Sequence, residues 1–238
     1  MQKLTKFIGI MLIITFLASI PLSVIAIEPE IVIVVDKIEV ETFAGKPSGT
    51  PGGKPTKPGS SDGGKPGAYV LNGFKWYTLD LTLYVSQDNM LSFIEASVAE
   101  WDMYTGANLV SDVVLDTDAY FADELLSRES DGRNELVFAD LDLGTIAVCY
   151  TWYLGDSILQ FDIAFNTDYT WGDATVDSGV MDFQNIATHE LGHGFGLGDM
   201  YKRNLSYLTM YGYSGEGDTA KRTLAQGDID GIQALYGA

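Results

Sequence analysis

The chain has 238 residues but only one cysteine, Cys149, and two histidines. A single thiol cannot build a disulfide framework, so stability must come from packing and from bound ions. Cys149 lies in the apolar run "TIAVCYTWY" and reads as a small buried hydrophobe. Basic residues are also scarce. The 14 Lys and Arg face 33 Asp and Glu, for a formal net charge of -19. Four of the lysines, Lys46, Lys54, Lys57 and Lys65, fall in one Gly/Pro-rich stretch, which leaves the rest of the chain more acidic still. Such a surface repels phosphate backbones and excludes a nucleic-acid partner. Dense carboxylates either solvate the surface or hold calcium through oxygen ligands.

Only one long apolar run is present, at the N-terminus: "MQKLTKFIGIMLIITFLASIPLSVIAIEPE". Lys3 and Lys6 precede an uncharged stretch that starts at Phe7, and Val24 and Ala26 suit cleavage after Ala26. Residues 1–26 therefore read as a secretory signal, which makes the protein exported and extracellular. Left uncut, a run of about 20 residues also suffices to anchor the chain at the cell surface. Residues 27–43 form a short N-terminal segment in which Pro29 to Phe43 alternates like a strand. Residues 44–68, rich in glycine, proline and lysine, have too little apolar content to offset the entropy of ordering and read as a flexible linker. The folded domain is expected over residues 69–238.

Within that domain, "FKWYTLDLTLYVS" alternates with period two and reads as a strand. "NMLSFIEASVAEWDMYTG" places Leu91, Ile94, Val98 and Trp101 at helical spacing. "NELVFADLD", "TIAVCYTWYL" and "ILQFDIAFNT" read as three further strands between turn residues. "DFQNIATHELGHG" returns to helical spacing behind Asp182 as N-cap, and "TLAQGDIDGIQALYG" closes the chain with a helix carrying Leu224, Ile229, Ile232 and Leu235 on one face. Few helices among several strands give an α+β class.

Both histidines occur in "THELGHGFGLGDM". His189 and His193, four residues apart on a helix, share one face and can reach one metal ion. Glu190 beside them is placed to take a proton from an attacking water, which is the chemistry that HExxH supports with zinc. A third ligand requires a sharp bend, which Gly196 permits, and three residues later Asp199 can return to the metal. Glu216 in "GYSGEGDT" is the rival third ligand.

The pattern HExxHxxGxxD resembles the metzincin clan of zinc endopeptidases, and its terminal aspartate is similar to the snapalysin-type variant of a motif that usually ends in histidine. "LTMYGYS" resembles the Met-turn of the matrixin (matrix metalloproteinase) branch, and "LAQGDIDGIQALYG" its closing helix. "FIEASVAEWDMYTG" resembles its first helix, and "FDIAFNTDYTWGDA" the strand that rims its substrate cleft. The likeness runs from about Tyr69 to the end. It implies a metzincin fold with a twisted, mostly parallel sheet, an active-site helix, a Met-turn and a C-terminal helix. It further implies that His189, His193 and Asp199 hold one catalytic Zn2+, that Glu190 is general base and acid, and that Met210 is the structural floor. An exported, monomeric zinc endopeptidase acting on proteins or peptides follows, with the substrate strand added beside "FDIAFNT". Tyr211 and Tyr213 either steady the transition state or pack, and Asp162, Asp168, Asp173 and Asp177 are candidate Ca2+ ligands. The cysteine-containing propeptide motif that keeps many matrixins latent is missing, as are the histidines of their structural zinc site. The alternative is a non-catalytic zinc-binding or protein-binding module that keeps the fold.

Overall fold

A computed structural model describes residues 31–40, 67–120 and 130–238. The signal read in residues 1–26 and most of the linker read in residues 44–68 lie outside them. Among the described residues, one seven-stranded sheet carries the fold in the order β11-β1-β6-β7-β5-β3-β4. Its strands are β1 (Val32–Val40), β3 (Leu81–Val85), β4 (Val110–Leu115), β5 (Asn134–Ala139), β6 (Thr145–Leu154), β7 (Ser157–Asn166) and β11 (Tyr213–Ser214), while β2 (Val70–Leu71) with β10 (Leu197–Gly198) and β8 (Trp171–Gly172) with β9 (Met181–Asp182) form two short separate pairs. The pairs β3/β4, β3/β5, β5/β7 and β1/β11 are parallel, whereas β6 runs antiparallel to both β7 and β1. The result is a mostly parallel mixed sheet with helices packed on it, an α+β architecture.

Alternation divides the sheet residues between two faces. Leu136, Ala147, Cys149, Ile163 and Phe165 join the large core, while Val137, Val148 and Ala164 form a small cluster with Ala119. The large core holds the helices α1 (Leu91–Asp102) and α2 (Phe183–Gly194), and α3 (Gln226–Tyr236) adds Ile232 to it. Ile94 and Trp101 of α1 and Ile186 and Leu191 of α2 are fully buried. Each such aliphatic side chain contributes about 1.5–3 kcal/mol of transfer free energy. The two helices are also joined by polar contacts: Trp101 Nε1 donates to the Thr188 carbonyl at 2.8 Å, and the Ser97 and Thr188 hydroxyls meet at 3.0 Å.

Two expectations need correction, and one strand was not anticipated. "FKWYTLDLTLYVS" is a strand only in its second half. The positive φ of Asp80 (64°) interrupts it, and Lys75 makes just an isolated bridge to Ser157. In the first half, Trp76 instead donates Nε1 to the carbonyl of Gly194 at the end of α2. "FDIAFNT" lies in β7, which is flanked on both sides by β6 and β5 and has no open edge to receive a substrate strand. The outer strand of this group is β6, and β1 pairs with it. Finally, β4 had no counterpart in the sequence reading, because as an edge strand it leaves Val114 and Leu115 exposed and its alternation is weak.

Candidate metal centre

Three side chains converge, and each is set by a different local device. Helix α2 begins where Asp182 accepts the Asn185 amide at 2.8 Å, which satisfies an otherwise unpaired first-turn donor. One turn separates His189 from His193, and both are fully buried. The helix then stops. Gly196 adopts φ +102°, and a Cβ there would stand 2.5 Å from the Phe74 carbonyl oxygen, so glycine is required on two counts. Past this bend β10 (Leu197–Gly198) pairs with β2 (Val70–Leu71), and the chain turns back so that Asp199 faces the two imidazoles.

His189 Nδ1 meets the Thr209 carbonyl at 2.7 Å, and His193 Nδ1 meets the Leu197 carbonyl at 2.9 Å. A carbonyl can only accept, so both Nδ1 atoms carry protons and both Nε2 lone pairs point inward. Those Nε2 atoms lie 3.1 Å apart, with Asp199 Oδ1 at 3.3 Å from one and 3.6 Å from the other. The three donor atoms lie within 4.8 Å of one another, the one such group of His, Cys, Asp and Glu among the described residues. Asp199 Oδ1 is buried without a hydrogen-bond partner, and so are both carboxylate oxygens of Glu190. Two bare imine nitrogens and an orphaned carboxylate oxygen fit a divalent cation with nitrogen and oxygen ligands, as zinc requires.

The electrostatics point the same way. Burial brings His189 down to about 4, whereas at His193 the Asp199 and Asp36 carboxylates outweigh the same burial and lift it to about 10. Burial resists ionisation of Asp199, but His193 outweighs it and holds that carboxyl below the usual range. Burial drives Glu190 well up, against the opposing pull of His193. The pocket therefore demands positive charge among its carboxylates, supplied by a proton on His193 Nε2 or by a cation that displaces it.

The floor under the histidines is equally specific. Asp228 in α3 accepts the amides of Thr209 at 2.9 Å and Met210 at 3.0 Å, so one buried carboxylate fixes the turn whose carbonyl orients His189. Met210 packs directly beneath the helix: a methyl at Gly192 would stand 2.3 Å from Met210 Sδ and 2.8 Å from the Trp101 ring. The backbone of Met200 bonds the same segment on both sides, donating to Met210 and accepting from Gly212, which keeps Asp199 in place. Tyr201 donates its hydroxyl to Asp199 Oδ2 at 2.8 Å.

Other candidates fall elsewhere. Tyr211 is buried under the Lys221 ammonium and packs against the Tyr213 ring, which in turn meets Tyr201. Glu216 is not part of the converging group. Asp162 accepts the Glu135 amide and the Gln160 side chain, Asp173 is engaged by Thr175 and Arg222, and Asp177 accepts the Gly179 amide. Sequence reasoning missed Asp228, Tyr201, Lys221 and Asp36. Lys221 is fully buried and donates to the Leu208 and Tyr211 carbonyls. Only Asp228 left a signal, as an acid in the first turn of the closing helix.

Comparison with known proteins yields a match to the matrixin family model over residues 133–237. Matrix metalloproteinase-25 of Homo sapiens is 27% identical over 187 residues, 71% of this chain and 31% of that protein. Matrix metalloproteinase-25 of Mus musculus is 34% identical over 94 residues, covering 40% of this chain and 15% of its own length. Human matrilysin is 42% identical over 76 residues, covering 32% of this chain and 27% of its own length. The chain thus spans less than a third of the length of each of these relatives.

Proposed function

Because the chain carries a matrixin-like catalytic domain, we propose that it is an exported zinc-dependent endopeptidase that hydrolyses peptide bonds in protein or peptide substrates. The observation that carries this reading is the convergence of His189 Nε2, His193 Nε2 and Asp199 Oδ1 beside a buried Glu190 carboxylate with no hydrogen-bond partner. His189, His193 and Asp199 would hold the ion. When bound, zinc supplies Lewis acidity toward the scissile carbonyl and makes a water acidic enough to attack near neutral pH.

The rest is done by the chain. Glu190 accepts the proton of the attacking water and returns it to the departing amine, and its raised affinity for protons suits both halves of that task. The Thr209 and Leu197 carbonyls keep the imidazoles in the tautomer that leaves Nε2 free. Asp228 holds the turn that carries the Thr209 carbonyl, and Asn72 donates to the Leu197 carbonyl at 3.2 Å. Export rests on the reading of residues 1–26. Among the described residues no helix is long and apolar enough to cross a membrane.

The test is hydrolysis of casein or a quenched peptide library by zinc-loaded protein, with chelator and Glu190→Ala as controls. Chelation should abolish cleavage, and Glu190→Ala should lower it about 10²- to 10⁴-fold, the range for loss of general acid–base catalysis. Stoichiometric zinc without chelator-sensitive hydrolysis, before or after limited proteolysis, would overturn the reading.

A further inference from the structure

Between Asp199 and the Met210 floor the chain makes an excursion that the metal centre does not use. Main-chain bonds close its ends: Met200 donates to the Met210 carbonyl at 2.8 Å and accepts from the Gly212 amide at 3.0 Å. Inside it lies one short 3-10 turn, Arg203–Leu205, held by the Leu205 amide on the Lys202 carbonyl at 2.7 Å and the Ser206 amide on the Arg203 carbonyl at 3.3 Å. This stretch spells Asn204-Leu205-Ser206, and nowhere else in the chain does a serine or threonine stand two residues after an asparagine. A hydroxyl at that spacing, with no proline between, marks an asparagine for attachment of a sugar chain in exported proteins.

The fold presents the triplet outward. Leu205 packs against the large core, while Asn204 and Ser206 on either side of it are exposed. Among the described residues neither the Asn204 carboxamide nor the Ser206 hydroxyl has a hydrogen-bond partner, so attachment of a sugar breaks no contact. The other exposed asparagines differ on both counts: Asn89 and Asn108 are followed two residues on by Leu91 and Val110, and Asn108 already donates its amide to Asp80.

We propose that Asn204 is an N-glycosylation site, and that its glycan shields the loop joining Asp199 to the floor of the metal centre. The donor is a lipid-linked oligosaccharide. Asn204 Nδ2 bonds to the anomeric carbon of the first sugar as the bond from that carbon to the lipid phosphate oxygen breaks. The oxygen leaves with the bonding pair, and the amide gives up one proton. Lys202 and Arg203 are exposed immediately before the acceptor, and exposed loop tips are where proteases nick a folded chain. A cut there would sever the chain between the third ligand and the Met210 turn, and a hydrated sugar one residue away keeps a protease from seating. Tyr201 and Tyr207, 55% and 59% exposed on the same loop, offer ring faces for the sugar to cover. The inference draws on the export reading of residues 1–26 and holds whether or not the centre cleaves peptides.

The experiment translates the full chain in the presence of glycosylation-competent microsomes, once with its own residues 1–26 and once with an established secretory signal in their place. Asn204→Gln and Ser206→Ala are run beside it. Wild type should gain a single glycan, seen as one rise in apparent mass that an amide-cleaving N-glycosidase reverses, and neither variant should gain any. Modification only behind the substituted signal upholds the acceptor and counts against export through residues 1–26. No shift with either signal, or a shift that survives Asn204→Gln, would overturn the site. Shielding is read by trypsin digestion of the purified glycoprotein before and after the glycosidase. Cleavage after Lys202 and Arg203 should become about tenfold faster once the sugar is gone, with Asn204→Gln matching the deglycosylated chain. Equal rates before and after would overturn the shielding role.

Discussion

Asp228→Asn tests whether a residue with no contact to the metal nonetheless sets the metal geometry. Oδ2 of Asp228 accepts the amides of Thr209 at 2.9 Å and Ala225 at 3.0 Å, and Oδ1 accepts that of Met210 at 3.0 Å. An asparagine oxygen can replace Oδ2 and keep two of these bonds, but the amide nitrogen then confronts the Met210 N–H. The reverse orientation confronts two donors and is worse. One charge-assisted bond is lost and one buried amide is left unmet, a cost of about 1.5–3 kcal/mol. Relief of the buried charge offsets part of this, since burial already raises the carboxyl of Asp228 despite the three amides. A net loss of about 2 kcal/mol corresponds to a drop in Tm of roughly 4–8 °C for a domain of this size. The displaced turn carries the Thr209 carbonyl that orients His189, so zinc affinity should fall about 10- to 100-fold, as when a supporting partner of a ligand is removed. Urea denaturation and zinc competition against a chromophoric chelator measure the two effects separately. An asparagine variant with the wild-type midpoint and wild-type zinc affinity would refute the chain of reasoning from α3 through the turn to the histidine.

Three further outcomes follow from the same geometry. Gly192→Ala drives a methyl to 2.3 Å from Met210 Sδ and should cost about 1–3 kcal/mol by overpacking, with Gly192→Ala/Met210→Ala less destabilised than the sum of the single changes in thermal melts. Tyr201→Phe removes the hydroxyl that holds Asp199 Oδ2 at 2.8 Å and should weaken zinc about tenfold in the same competition assay; an unchanged constant would show that Asp199 needs no such support. Glu100 is raised above its ordinary 4.5 by burial, offset in part by the Leu224 amide, so the folded state holds its proton more tightly than the unfolded one. Its contribution to stability must fall as the pH climbs from about 4.5 through the raised value, and Glu100→Gln should lose that part of the slope; parallel curves of Tm against pH for the two proteins would contradict the assignment.

Much of this architecture was legible because single elements carry strong local signals. Helix α2 announced itself through Asp182, apolar spacing and a glycine bend, all of which act within a few residues of one another. The spacing of His189, His193 and Asp199 was likewise readable, since helix periodicity and one permissive glycine bring them together. What was not legible depends on contacts distant in sequence. Whether "FDIAFNT" is an edge or an interior strand is decided by where β6 and β5 settle, and the alternation of β7 is compatible with either. Asp228 looks like any first-turn acid until the Met210 turn is laid against it. Asp36 breaks the apolar face of a short alternating strand, and nothing within that strand reveals that His193 lies across from it.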